Sequence, residues 1–465
     1  MTAALVVLLY LIALPTLSLY LSKGHHDDPS RGHRDLPAWA ICLSIVATET
    51  STLTVVSIPG VAYGGSFVFV GMALGYLIGR IIVAWRFLPL FHNRDMASAY
   101  QYLGQRFGSH VQRLISASFL VTRLLAESVR LFAGMLPITA LCAASGFPIG
   151  GPFLMVLIMI LTLSYTMLGG LRAVVWSDSI QLLLYLGSAL ICIVLLSHQV
   201  SLSQALAGAH LFAWGHPAFT SPFTPAAAII GGTLLTLASH GTDQLMIQRC
   251  LAAKSLSAAR GAMIGSAFLV GLLFAALSLV GVMLHAQHHG APLSQPDTLF
   301  PNFILTLPPI LCGLLVASIL AATMGSLSSA MNAMTGAIMG DFAPYLRRFA
   351  LSPIALSRRI TAFWALALLA TTFGFSGIHG SAVIFAFSIT SYCYGAVLGV
   401  FLLAMLRPHA TSRAALTAFF TSLAILGVLS QLRIEGAPIA FSWLVPAGAL
   451  SGFLAGRVSE FFVER

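Results

Sequence analysis

The chain has 465 residues, of which 58% are hydrophobic and only 8% are Asp, Glu, Lys or Arg, against about 25% charged residues in soluble chains. So little polar side chain excludes a soluble enzyme or a disordered scaffold and points to an all-α polytopic membrane protein. The net charge of +10 does not indicate nucleic acid, because the basic residues sit in small groups between apolar runs, as orientation signals do beside membrane spans.

A bilayer core needs about 20 apolar residues per helix. On that measure about thirteen spans are expected, near 2–22, 37–57, 66–91, 111–141, 151–168, 172–198, 227–248, 258–286, 302–340, 357–377, 380–406, 411–431 and 437–456. The first lacks a basic segment ahead of it and reads as a retained helix. With the N-terminus outside, the inside segments carry Lys23, Arg31 and Arg34; Arg86, Arg94, Arg106 and Arg113; Arg172; Arg249, Lys254 and Arg260; Arg347, Arg348, Arg358 and Arg359; Arg407 and Arg413; and Arg457 and Arg465. The outside segments carry only Arg433, so the positive-inside rule holds along the chain and puts the C-terminus in the cytoplasm. A bacterial inner membrane is the expected location. No extramembrane domain and no G-x-x-x-x-G-K-[ST] motif is expected. The cysteines (Cys42, Cys142, Cys192, Cys250, Cys312, Cys393) show no C-x-x-C spacing, which argues against a zinc site or a disulfide framework.

Ionisable and hydroxyl residues at membrane depth are the functional candidates. In the second span Thr48, Glu49, Thr50, Ser51, Thr52 and Thr54 crowd the middle, ahead of Pro59-Gly60. Competing side-chain hydrogen bonds open such a helix, and an opened helix frees carbonyls for a cation; packing hydroxyls bonded to their own helix are the bland alternative. In the fourth span Arg123, Glu127 and Arg130 form an i, i+4, i+7 ladder with one positive charge left over. That charge is free to pair with Glu49 or to receive a substrate carboxylate. The sixth span opens GGLRAVVWSDSIQ, with a tight turn at Gly169-Gly170 and Asp178 inside. In the ninth, Ala322, Ser326 and Ser329 share one face. His25-His26-Asp27-Asp28 reads as a solvated charge run, and His240 stands alone in span 7.

Four segments, ATETSTLTVVSIPGVAYGG, GGLRAVVWSDSIQ, GTDQLMIQR and AATMGSLSSAMNA, lie in this order between residues 47 and 333. On these the chain resembles the sodium:solute symporter family. The resemblance implies a LeuT-type core of two five-helix repeats of inverted topology, within a single transporter domain spanning 1–465. Residues 1–36 would be an extra helix and inside loop, 37–198 the first repeat, 227–406 the second, and 411–465 two extra helices. The first helix of each repeat would be broken. It also implies a main Na+ site built from the carbonyls of Ala47, Thr50 and Ala322 and the hydroxyl of Ser326, with Gly325 replacing a usual serine. A second Na+ site would use Asp178, Ser328 and Ser329. Substrate contacts would come from Glu49, Ser51 and Thr54, with Arg123 or Arg130 as the arginine of the third core helix.

The expected function is therefore Na+-coupled import of a small organic solute, anionic or zwitterionic, by alternating access. Membrane lipid and the solute are the expected partners, with no nucleic acid and no obligatory protein partner. H+ coupling, with Glu49 or Asp178 titrating, and an uncoupled facilitator on the same fold are the alternatives.

Overall fold

Backbone polar groups inside a bilayer must be satisfied within the chain, and this chain does so with helices. The computed structural model describes residues 2–21, 35–92, 96, 98–144, 149–293, 295–346, 348–375 and 382–461. Lys23, the His25–Asp28 run, Arg31, Arg34, Arg94, Arg347 and Arg465 lie outside the described residues.

The chain opens with α1 (Thr2–Leu21), α2 (Ala38–Glu49), α3 (Thr52–Ala62), α4 (Val68–Ile82) and α5 (Leu88–His92). There follow α6 (Tyr100–Phe107), α7 (Ser109–Ala144), α8 (Gly151–Ser197), α9 (Leu202–Ala205), α10 (Gly232–Gly241) and α11 (Gln244–Leu251). The rest is α12 (Leu256–Gln287), α13 (Leu299–Leu305), α14 (Pro309–Asp341), α15 (Ala343–Leu346), α16 (Pro353–Gly374), α17 (Ala382–Leu406) and α18 (Ser412–Gln431), then a two-residue hairpin and α19 (Phe441–Phe461). Among the described residues, eight helices are long and apolar enough to cross a membrane, or nine when α2 and α3 count as one broken span.

Three departures from the expected spans have local causes. Spans 5 and 6 are the two arms of α8, which turns at Gly170 (φ 57, ψ −154), a conformation that a Cβ would forbid. Span 9 starts late: Thr306–Pro308 separate α13 from α14, and Pro309 takes the first-turn position, where no backbone N–H is needed. Span 7 begins with π-helical winding over Ala227–Gly231 and breaks between Gly241 and Gln244.

Helix α14 is the hub. Its most apolar stretch is 83% buried, against 22% for α1, which leaves Leu5, Leu8, Leu9 and Ile12 on the outside. An apolar exterior of this kind suits lipid as solvent. Helices α8, α7, α2 and α3 all pack on α14, while α18 and α19 pack on α17. Where α3 meets α12, a Cβ on Gly281 would fall 2.1 Å from Pro59 O, so the two backbones touch there because residue 281 has no side chain.

Candidate functional site

The site begins with the interruption of span 2. Thr50 and Ser51 are extended (ψ 108 and 170), and α2 and α3 meet at 69°. A capping box holds the break open. The Ser51 N–H, which would otherwise close on Ala47 O, donates to Thr54 Oγ1 at 3.3 Å. The Thr54 N–H, which would close on Thr50 O, goes to the Ser51 side chain. Two of the three carbonyls expected to bind Na+, those of Ala47 and Thr50, thus lose their helical donors, as the crowded hydroxyls suggested.

The break faces the middle of α14. Thr48 Oγ1 lies 3.2 Å from Ser329 Oγ, and Thr52 Oγ1 is bonded to Thr323 Oγ1, so the two contacts bracket Ser326. The Ser326 hydroxyl donates to Thr323 O at 3.1 Å, which leaves its oxygen lone pairs for a cation. Ala47, Thr50, Ala322 and Ser326 are all buried. Hard cations are bound by oxygens of these kinds, so the four expected groups suit Na+.

The second expected Na+ site is different. Asp178 and Ser329 do come together, with Ser329 Oγ 3.2 Å from Asp178 Oδ2, but a guanidinium stands on them. Arg249 Nη2 donates to Asp178 Oδ2 at 3.1 Å and to Ser329 Oγ, and its Nε donates to Ser44 Oγ at 2.8 Å. Ser44 and Thr48 add two further bonds to Asp178. Ser328 donates instead to Gly325 O at 3.0 Å, within its own helix. Arg249, read from the sequence as a residue of an inside segment, is 1% exposed on α11 and supplies the positive charge of this pocket.

A cavity of about 130 Å³ borders the break. Glu49, Ser51, Thr54, Arg123 and Arg130, the five expected substrate residues, all line it. Their pairings differ from expectation. Glu49 pairs with Arg80, which is fully buried on α4 and donates to Ser266 Oγ at 2.6 Å. The ladder forms, with Glu127 Oε1 3.2 Å from Arg123 and 2.9 Å from Arg130. The charge left over in the ladder is met by Asp243, which pairs with Arg123, accepts from Tyr394 OH at 2.7 Å and caps α11 through Leu245 N. The described ion pairs of this buried region therefore balance, with Arg80, Arg123, Arg130 and Arg249 against Glu49, Glu127, Asp178 and Asp243. An uncompensated charge at this depth costs several kcal/mol, which is why each finds a partner. No guanidinium of this set waits unpaired for an anion, and among the described ion pairs Glu49 is joined to Arg80 and not to the ladder.

Four further residues enter the site. His240 Nε2, Ser57 Oγ and Ser391 Oγ have no hydrogen-bond partner among the described residues, and their side chains line the cavity with Tyr394. Among the charged partners that the sequence did not assign to the site, Asp243 carried the clearest signal: an acidic residue after Gly241-Thr242 is a helix-capping pattern.

A model of the sodium:solute symporter family matches residues 31–421. The sodium/sialic acid symporter SiaT of Proteus mirabilis (strain HI4320) is 28% identical over 373 residues, 74% of this chain and 71% of that protein. The sodium-coupled monocarboxylate transporter 1 of Homo sapiens is 28% identical over 423 residues, 86% of this chain and 68% of that protein. The solved substrate-bound outward-open state of a Na+-coupled sialic acid symporter superposes with a TM-score of 0.87 at 23% identity, covering 99% of this chain and 97% of that one, and it shows the LeuT-type fold. The chain belongs to the sodium:solute symporter family: it is an integral membrane protein that transports a small solute coupled to Na+, and it is not an enzyme.

Proposed function

We propose that the protein imports a small monocarboxylate together with one Na+. The observation that carries this reading is the capped break at Thr50-Ser51, with its two freed carbonyls opposite Ser326 and beside the cavity. Ala47, Thr50, Ala322 and Ser326 hold the ion. Asp178, Ser328 and Ser329 do not form a second site, because Arg249 already neutralises Asp178. Charge then limits the solute. The resident ion pairs balance, so one Na+ with one carboxylate leaves the low-dielectric site neutral, whereas a neutral sugar would leave a buried cation. Size limits it too: an engineered cavity of about 150 Å³ takes benzene, so a cavity of about 130 Å³ suits an acid of a few carbons. A sialic acid would need the cavity to open further. The name of the human relative, a monocarboxylate transporter, agrees with this size.

Arg130 is the arginine that receives the carboxylate. Its side chain is 17% exposed, against 4% for Arg123, which is held by Glu127, Asp243 and Tyr394. We further propose two inverted repeats, 37–198 and 227–406, an outside N-terminus and a cytoplasmic C-terminus in a bacterial inner membrane. The extra helices would face lipid, with no obligatory protein partner.

Uptake of a short-chain carboxylate into proteoliposomes is expected to vanish when choline replaces Na+ at fixed pH. Unchanged uptake would reject Na+ coupling in favour of protons, and preferred uptake of a neutral polyol would reject the carboxylate. Arg130→Lys keeps the charge but loses the planar fork. It is expected to raise the KM for the carboxylate about tenfold, the order of one charge-assisted hydrogen bond, with the Na+ dependence unchanged. An unaltered KM would remove Arg130 from the solute site.

A further inference from the structure

A second cavity of about 20 Å³ lies next to the first, with room for about one water molecule. Its wall includes Phe119 and Thr122 on α7, Thr242 and Asp243 between α10 and α11, and Cys393 and Val397 on α17. The larger cavity takes Arg130 from α7, Ser239 and His240 from α10, and Thr390 and Ser391 from α17. On all three elements the smaller cavity is displaced the same way, toward the end of the bundle proposed above to face the cytoplasm. There α7 begins, beside Arg106 and Arg113, and α17 ends, beside Arg407.

Arg123 and Tyr394 line both cavities, and with Asp243 they close a triangle between them. Arg123 Nη2 pairs with Asp243 Oδ2 and donates to Tyr394 OH at 2.5 Å, and Tyr394 OH donates to Asp243 Oδ2 at 2.7 Å. The three residues come from α7, from the break of span 7 and from α17, so the triangle fastens three elements at one level. It can part without stripping either charge of all its partners. Arg123 keeps Glu127, and Asp243 keeps Leu245 N, because its Oδ1 caps α11. The backbone at Thr242 (φ −127, ψ −10) and Asp243 (φ −90, ψ 127) has left the helix. A change in those few torsions is enough for α11 to carry the carboxylate away, as element-terminal residues do in hinges.

We propose that the Arg123–Asp243–Tyr394 triangle is the inner gate of the transporter, and that the solute leaves its cavity only when Asp243 and Tyr394 separate from Arg123 and the two cavities join. This goes beyond the solute reading above, since it holds for whatever solute the cavity takes. A passage of about 20 Å³ admits water but no organic solute, so the bonds that hold it shut decide when the cargo moves. The gate also gives the two arginines of one ladder separate tasks. Arg130 faces the solute, and Arg123 bars the way out.

Cys393 lines the smaller cavity and reports on the gate, because a thiol reagent needs more room than one water. The purified full-length protein is treated with N-ethylmaleimide, without solute, and alkylation of each cysteine is followed by peptide mass spectrometry. Tyr394→Phe keeps the ring and the charges and deletes the hydroxyl that joins Arg123 to Asp243. It is expected to alkylate Cys393 about tenfold faster than wild type, the order of one hydrogen bond to a charged group. Cys142, near the other end of α7, is expected to keep its rate. Asp243→Asn retains a side chain able to cap α11 while removing the charge, and is expected to speed Cys393 at least as much. The proposal is overturned if Tyr394→Phe alkylates Cys393 at the wild-type rate. It is equally overturned if Cys142 accelerates in step with Cys393, which would mean a general loosening and not a gate. Should Asp243→Asn fail to fold, Tyr394→Phe alone decides between these outcomes.

Discussion

Replacing Arg249 by methionine is expected to lower folding stability by about 3–5 kcal/mol, the range for removing one partner of a buried ion pair. Asp178 is fully buried, and Arg249 is the cation that the structure sets against it, at 3.1 Å. Ser44, Thr48 and Ser329 also bond to the carboxylate, but hydroxyls spread a charge without cancelling it. Arg249→Met combined with Asp178→Leu removes both charges and is expected to recover most of the loss, because replacing a whole buried pair by apolar groups is often close to neutral. Thermal unfolding in detergent measures both variants. Repeating the single variant at rising NaCl gives a second result. If the vacated pocket takes Na+, the deficit shrinks with salt and the apparent Na+ dependence steepens, which would expose a second ion site that the guanidinium normally fills. A single variant as stable as wild type would mean that Asp178 does not depend on Arg249 and is free to take part in a second Na+ site.

Removing the capping box should be the most damaging change to ion binding that leaves every proposed ligand in place. Ser51→Ala with Thr54→Val deletes the two side-chain oxygens that hold the Ser51 and Thr54 N–H groups away from the helix. Those N–H groups lie four residues after Ala47 and Thr50, the spacing of an α-helical bond. The span is then free to wind through residues 50–51 and consume both carbonyls. Each cap is worth about 1 kcal/mol, so the half-saturating Na+ concentration should rise by roughly tenfold or more. Ser51 and Thr54 also line the cavity, so the readout must be Na+-dependent stabilisation without solute. An unchanged Na+ titration would show that the break is held by packing on α14 and not by its cap.

The local features were legible in the residues because local chemistry decides them. Apolar runs of bilayer length marked the long helices, of which eight, or nine with the broken pair, are apolar enough to cross a membrane among the described residues, against the thirteen spans expected. The hydroxyl cluster from Thr48 to Thr54 marked the break, and Gly169-Gly170 marked the turn within α8. The Arg123–Glu127–Arg130 ladder followed from helical spacing alone, and both of its bonds are present. The five residues expected to meet the solute do share one cavity.

What the tertiary structure decided was which charge meets which. Helical periodicity shows that Arg123 and Glu127 share a face, but not that Asp243, 120 residues further on, closes the same cluster. It shows that Glu49 needs a partner, but not that Arg80 reaches it ahead of the ladder. It marks Gly325 as a missing side chain, but not that Gln181 stands in the space. The physical reason is that a side chain's face depends on its own helix, whereas its partner depends on which helix packs opposite and at what height along the axis. Those two quantities are set by the close packing of α14 against α2, α3, α7 and α8 together, and no single segment of the sequence contains them.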